Sequence, residues 1–190
     1  MTQSAPKFLK IMIPVVVIVA LAAGTVAILK SRVTSEPAGN TQNGAVELAI
    51  GATLPDFELN TLDGKKLHAS ELKGKVLLVN FWATWCEACM VEMPSIVALH
   101  QRFKDKGLEV VAINVDENPE SVVPKTAQEL KLDFPVYRDP ESSLADLFDV
   151  HAIPLTVIMD HNRKVLLIET GERDWNGSEV HKLVGDWLGT

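Results

Sequence analysis

Only two cysteines occur in the 190 residues, and both stand in one motif, Cys86-Glu87-Ala88-Cys89. A disulfide framework, which needs several pairs spread along the chain, is therefore excluded. A structural zinc site closed by four ligands is disfavoured too, because there is no second C-x-x-C and none of the five histidines stands beside this one. No cysteine lies near residue 30, so there is nothing there to acylate and a lipoprotein anchor is ruled out. Positive charge is also scarce: 18 Lys and Arg stand against 25 Asp and Glu, a formal net charge of −7. No basic stripe with interleaved aromatics can be drawn, and no nucleic-acid partner is expected. Internal repeats are absent.

What is present is organised around Phe81-Trp82-Ala83-Thr84-Trp85-Cys86-Glu87-Ala88-Cys89. The preceding run Val76-Leu77-Leu78-Val79-Asn80-Phe81 has the length and β-branched content of a buried strand. Met93, Ile96, Val97, His100 and Phe103 then fall on one face of a helix. The cysteines thus sit where a strand hands over to a helix. Free N–H groups and the macrodipole at a helix start favour thiolate over thiol. A pair placed there can cycle between dithiol and disulfide, with Cys86 exposed and nucleophilic and Cys89 one turn further in. An inert staple is the competing reading, but a bridge closing so short a loop removes little chain entropy.

Ile11 to Leu29 is 19 residues without a charge. As a helix it spans roughly 28 Å, about the hydrocarbon thickness of a bilayer. It reads either as an uncleaved signal anchor or as a signal peptide cut after Thr25-Val26-Ala27; its length and the cation following Leu29 favour the anchor. Flanking cations nearly balance, so charge does not orient it. The usual behaviour of such segments puts the rest of the chain outside the cytoplasm, where disulfides persist. The organisation expected is an N-terminal flank (1–10), a transmembrane signal anchor (11–29), a flexible linker (30–47) and one folded domain (48–190). The linker is polar, with Pro37, Gly39 and Gly44 and no apolar period.

Within the domain, Asp56–Leu59 and Lys66–His68 read as a hairpin about the turn Thr61-Leu62-Asp63-Gly64. Ser70–Gly74 is a helical turn or loop. Pro94 should kink the cysteine helix and Gly107 should stop it. Leu108–Val115 is a strand, Asn118 opens a helix to about Lys131, and Phe134–Tyr137 is extended. Ser142 or Ser143 caps a helix through Phe148. Leu155–Met159 and Lys164–Glu169 are strands joined by a turn, and Ser178–Leu188 is an amphipathic helix. This order gives an α/β domain with a mixed sheet.

Trp82-Ala83-Thr84-Trp85-Cys86-x-x-Cys89, with Glu92-x-Pro94 and a later Ile153-Pro154, resembles the thioredoxin fold. Within it, the opening Gly51-Ala52-x-x-Pro55-x-Phe57, the hairpin and the helical insert between Leu108–Val115 and Leu144–Phe148 resemble the membrane-anchored TlpA/ResA-like thiol-disulfide oxidoreductases. The resemblance covers about residues 48 to 188. It implies that Cys86 attacks and Cys89 resolves, and that Ile153-Pro154 is a cis peptide whose backbone meets a bound substrate strand. It implies that Trp82 and Trp85 pack around the site, Trp82 among the substrate-binding residues with Ile153 and Pro154, Trp85 partly exposed in the recognition surface, and that Glu92, Glu117 and Trp85 tune the thiols. Glu92 is one turn beyond Cys89, close enough to exchange a proton with it, although the same position also suits a solvated surface glutamate. Two departures stand out. Asn80 occupies the place of the buried aspartate of thioredoxins and cannot shuttle a proton. Ala88 replaces a proline, which affects the potential but not the reaction class.

The function expected is an extracytoplasmic dithiol reductase without a cofactor. Its partners would be protein disulfides, such as those of apocytochrome c or copper-centre assembly proteins, a membrane-embedded thiol reductant, and the membrane itself through the N-terminal helix. A dithiol oxidase or isomerase uses the same cysteines. A thiol peroxidase needs a hydroxyl three residues before its cysteine, whereas Thr84 is two before Cys86 and the proline of that motif is missing. A tethered Cu(I) carrier, with His151 approaching the site, is the non-enzymatic alternative.

Overall fold

A hairpin opens the sheet in the computed structural model, which describes residues 47–139 and 141–190. Strands β1 (Glu58–Thr61) and β2 (Lys66–His68) pair antiparallel. Gly64 makes the turn at φ +82°, a conformation that costs glycine nothing. A 3₁₀ turn, Ala69–Glu71, leads to β3 (Val76–Trp82), all seven residues of which are buried. Then follow α1 (Glu87–Phe103), β4 (Leu108–Asn114), α2 (Pro119–Glu129), β5 (Val136–Arg138), α3 (Ser143–Leu147), β6 (Leu155–Asp160), β7 (Val165–Thr170) and α4 (Ser178–Leu188).

The seven strands form one mixed sheet in the order β2-β1-β5-β4-β3-β6-β7. Strand β3 pairs parallel with β4 and antiparallel with β6. It is buried on both faces because each face is covered, which is why it reads as a continuous apolar run rather than an alternation. Val76, Leu78 and Trp82 join a core with Met93, Ile96 and Leu99 of α1, Val180 and Val184 of α4, and Trp175. Leu77, Val79 and Phe81 join the opposite core with Leu54, Phe57, Leu144 and Phe148.

The apolar face expected of α1 is the face that is buried. Met93, Ile96 and Leu99 are fully buried and Phe103 nearly so. Burial of each such side chain stabilises by about 1.5–3 kcal/mol. Together they outweigh the cost of Pro94 inside the helix, about 3 kcal/mol, and α1 continues through it to Phe103. A 3₁₀ turn (Lys104–Lys106) and Gly107, at φ +112°, then end the helical path.

One expected cap is corrected. Ser142 stands at the start of α3 in a left-handed conformation, and its side chain caps nothing. Asp139 does the capping: its carboxylate accepts from the amides of Leu144 (3.1 Å) and Ala145 (2.8 Å) and from Ser143 Oγ (3.2 Å). An ionised carboxylate has about four acceptor sites on two oxygens, where a serine hydroxyl has two on one, so it can take three donors at once.

Among the described residues no helix is long and apolar enough to cross a membrane. The apolar run 11–29 and the linker up to residue 46 lie outside the described residues.

Candidate active site

Cys86 and Cys89 are joined by a disulfide at the N-terminus of α1. Cys86 is the N-cap, with extended backbone angles, and the Cys89 amide points at its sulfur at 3.2 Å. In the dithiol form that N–H, with the helix macrodipole behind it, is placed to stabilise negative charge on Cys86 Sγ. Exposure corrects one expectation in degree. Cys86 is 7% exposed and Cys89 is fully buried. Cys86 is the more accessible residue of the two, but it offers only a small surface.

Trp85 supplies the prominent surface, 70% exposed beside Cys86. It stands between two open clefts. One, of about 530 Å³, is lined by Trp85, Val115, Ala145, Val150, His151 and Ile153. The other, of about 610 Å³, is lined by Trp85, Val115, Asp116, Glu117 and Val122. Ile153-Pro154 is a cis peptide, with Pro154 buried and Ile153 half-buried. Trp82 packs in the same core as Cys86 and Cys89, as expected, but its assignment to substrate binding is corrected: it is fully buried on the α1 side of β3 and presents nothing to a client. Both faces of β3 are covered, so a side chain on either face is buried there.

Glu117, expected to tune the thiols, is exposed on the rim of the second cleft. The buried carboxylate of that segment is its neighbour Asp116, which the sequence reading did not assign. Asp116 accepts from the Thr84 amide (2.8 Å), from Thr84 Oγ1 (2.9 Å) and from Asn114 Nδ2 (2.8 Å). The end of β4 thereby holds the loop that delivers Trp85 and Cys86. The signal was a polar Asn-x-Asp at the end of an apolar strand, facing the polar Thr of the motif.

Glu92 is not a solvated surface residue; it is 2% exposed. Its Oε1 accepts from Asn80 Nδ2 at 2.8 Å. Its Oε2 accepts from the Trp175 indole N–H at 3.1 Å and from the Arg173 amide at 3.3 Å. Burial pushes this carboxyl above the ordinary carboxylate range despite those three donors, and the negative charge of Glu172 adds to the rise. One edge of Glu92 lines a cleft of about 270 Å³ with Val91, Ser95, Glu172, Arg173 and Asp174. That cleft gives the carboxyl a route to water.

The loop after β7 that holds Glu92 was not read from the sequence. Gly171, at φ +90°, turns the chain there and its amide donates to the Pro154 carbonyl at 2.8 Å. The Arg173 guanidinium pairs with Glu169 at 2.6 Å and lies 5.4 Å from the centre of the Trp175 ring. His151 pairs with Asp149 at 3.1 Å on the rim of the first cleft. Among the described residues no group of three or more His, Cys, Asp or Glu side chains is arranged to hold a metal ion.

Comparison with known proteins agrees with this arrangement. Residues 50–168 match the AhpC/TSA family. The chain is 37% identical over 134 residues to the thiol-disulfide oxidoreductase ResA of Geobacillus kaustophilus, covering 70% of this chain and 76% of that one. It is 35% identical over 128 residues to ResA of Bacillus subtilis, covering 67% and 71%. Among solved structures it is similar to a DsbE-type thiol:disulfide interchange protein of Chlorobium tepidum, with a TM-score of 0.67 and 30% identity over 75% of this chain and 100% of that one. It is also similar to a thioredoxin of Neisseria meningitidis, with a TM-score of 0.63 and 27% identity over 72% and 90%. The fold is thioredoxin-like.

Proposed function

The chain belongs to the AhpC/TSA family and is a thiol-disulfide oxidoreductase of the ResA kind, and from that premise we propose that it works as an extracytoplasmic reductant of protein disulfides. The observation that carries the proposal is the cysteine pair at the start of α1, with the Cys89 amide aimed at Cys86 Sγ beside an exposed tryptophan.

The Cys86 thiolate attacks one sulfur of a client disulfide. A Cys86–client bond forms, the client S–S bond breaks, and the second client sulfur leaves as thiolate. Cys89 loses its proton and attacks Cys86 Sγ. The mixed disulfide breaks, the client is released as a dithiol, and the Cys86–Cys89 bond closes. Two electrons pass to the client. Glu92, one helical turn from Cys89, takes the Cys89 proton and passes it to water through the cleft beside Glu172 and Asp174. That route stays open while a client covers Cys86 and Trp85. Clients rest in the clefts beside Trp85, along Ile153-Pro154; Glu117 sits on the rim of one of them.

The apolar run 11–29 supports anchoring in the cytoplasmic membrane, with the folded domain on its outer side. A membrane-embedded thiol donor then re-reduces the pair. Apocytochrome c and copper-centre assembly proteins, which must keep cysteines reduced before they bind haem or metal, are the clients this reading favours.

The test is a trap. Cys89→Ala, reduced and mixed with a disulfide-bonded client peptide, should accumulate a mixed disulfide on Cys86, while Cys86→Ser should accumulate none. Equal trapping by both variants, or by neither, contradicts the assignment of Cys86 as the attacking thiol.

A further inference from the structure

The two oxygens of Glu92 meet different kinds of partner. Oε2 faces an indole N–H and a backbone amide. Both groups can only donate, so Oε2 must remain an acceptor whatever the charge of the carboxyl. Oε1 faces Asn80 alone. A side-chain amide can offer either its NH₂ or its carbonyl, depending on which way it is turned.

Asn80 is fully buried, and its Nδ2 also donates to Thr156 Oγ1 at 2.9 Å. Thr156 is its direct cross-strand partner on β6. Its Oδ1 is buried with no partner. A buried carbonyl oxygen left unpaired requires an explanation. Turning the amide supplies one: Oδ1 then accepts from a protonated Oε1 and from the Thr156 hydroxyl, which can donate as readily as accept. One amide atom is unpaired in either orientation, so the amide itself has no strong preference and follows the proton.

We propose that Trp175 and Asn80 are positioning residues for the exchange reaction: Trp175 holds Glu92 Oε2 as a permanent acceptor, so that the proton rides only on Oε1, and Asn80 turns its amide to follow it. This rests on the reading above, in which Glu92 carries a proton during exchange. The charged and titratable groups around the carboxyl are few. Cys89 lies on its own helix, Asn80 and Thr156 are neutral, and the loop brings Glu172, Arg173 and Asp174. The Arg173 guanidinium is turned to Glu169 and Glu179. Burial, which raises the proton affinity of this carboxyl above the ordinary carboxylate range, agrees with a group that takes up and releases a proton.

The experiment is a pH titration of the full-length, disulfide-bonded protein by NMR, following Glu92 Cδ and the side-chain Nδ2 of Asn80, beside a measurement of reduction potential against pH. In the native protein the two signals should share one midpoint. Trp175→Phe should raise that midpoint by about one pH unit, a tenfold gain in proton affinity, through loss of a donor to the charged form. The break in the potential–pH curve should move with it. Glu92→Gln provides a second route should Trp175→Phe unfold. Its carbonyl can take the Trp175 and Arg173 donors while its NH₂ donates to Asn80, so Asn80 should show the low-pH signal of the native protein at every pH. An Asn80 signal in Glu92→Gln that matches the high-pH form overturns the proposal, as does a folded Trp175→Phe with an unmoved midpoint. A native potential–pH curve with no break at the Glu92 midpoint overturns instead the role of Glu92 in exchange, while the NMR signals still decide what Trp175 and Asn80 do.

Discussion

Asp116 fastens the loop that presents the reactive sulfur, although it lies thirty residues beyond it in sequence. Its carboxylate binds the Thr84 amide and hydroxyl, and Asn114 braces it from behind. Removing it leaves buried donors without acceptors, each costing about 1–3 kcal/mol. Asp116→Ala should therefore lower stability by about 2–4 kcal/mol in urea denaturation. It should also slow client reduction by the protein that remains folded, since Trp85 and Cys86 lose their anchor. Unchanged exchange kinetics in a folded Asp116→Ala would show that the loop holds itself. Glu92 and Glu117 make a parallel contrast. Both are glutamates near the motif, but one is clamped by three donors inside the core and the other stands in solvent on a cleft rim. Spacing along α1 placed Glu92 near Cys89; only the packed structure shows what holds it.

At the scale of elements, periodicity carried most of the information. Strand β3 and helix α1 announce themselves through an unbroken apolar run and a regular apolar face, and α4 falls at Ser178–Leu188 as its pattern predicts. What periodicity could not give is any contact between parts distant in sequence. Trp175 follows Glu92 by more than eighty residues, and the loop that carries it has no apolar period. Its place is set by Gly171, by the Arg173–Glu169 pair and by Ser95, which accepts from the Trp175 amide at 2.9 Å. Trp82 misled as a client contact for a related reason: its nearness to the cysteines in sequence says nothing about burial, and the elements that cover both faces of β3 come from distant parts of the chain. The start of α3 is a further case, since its cap comes from Asp139 rather than from a neighbouring serine. Asp139→Ala should cost about 1–2 kcal/mol, whereas Ser142→Ala should change stability little; thermal denaturation of the two variants separates them. Equal effects would contradict the assignment of the cap to Asp139.

Over the whole molecule, the buried carboxyl makes stability depend on pH. The Glu92 carboxyl has a higher pKa in the folded protein than its ordinary value of 4.5. Between those two values the folded state holds a proton that the unfolded chain has released, so its stability falls as pH rises. The contribution is fully present below about 4.5 and is lost by the time pH has passed the raised folded value. Glu92→Gln cannot ionise and should not show this loss. Urea denaturation across pH 4 to 8 should then give a native curve that declines relative to the variant's as pH rises. Parallel curves would mean that Glu92 has an ordinary proton affinity in the fold.

The central claim is that Cys86 and Cys89 form a reducing couple, and the reduction potential of the pair tests it most directly. The full chain equilibrated in thiol–disulfide buffers should give a value near that of thioredoxin, about −270 mV, or lower. A value near that of a strong disulfide donor, about −120 mV, would contradict the account and make oxidation of clients the function.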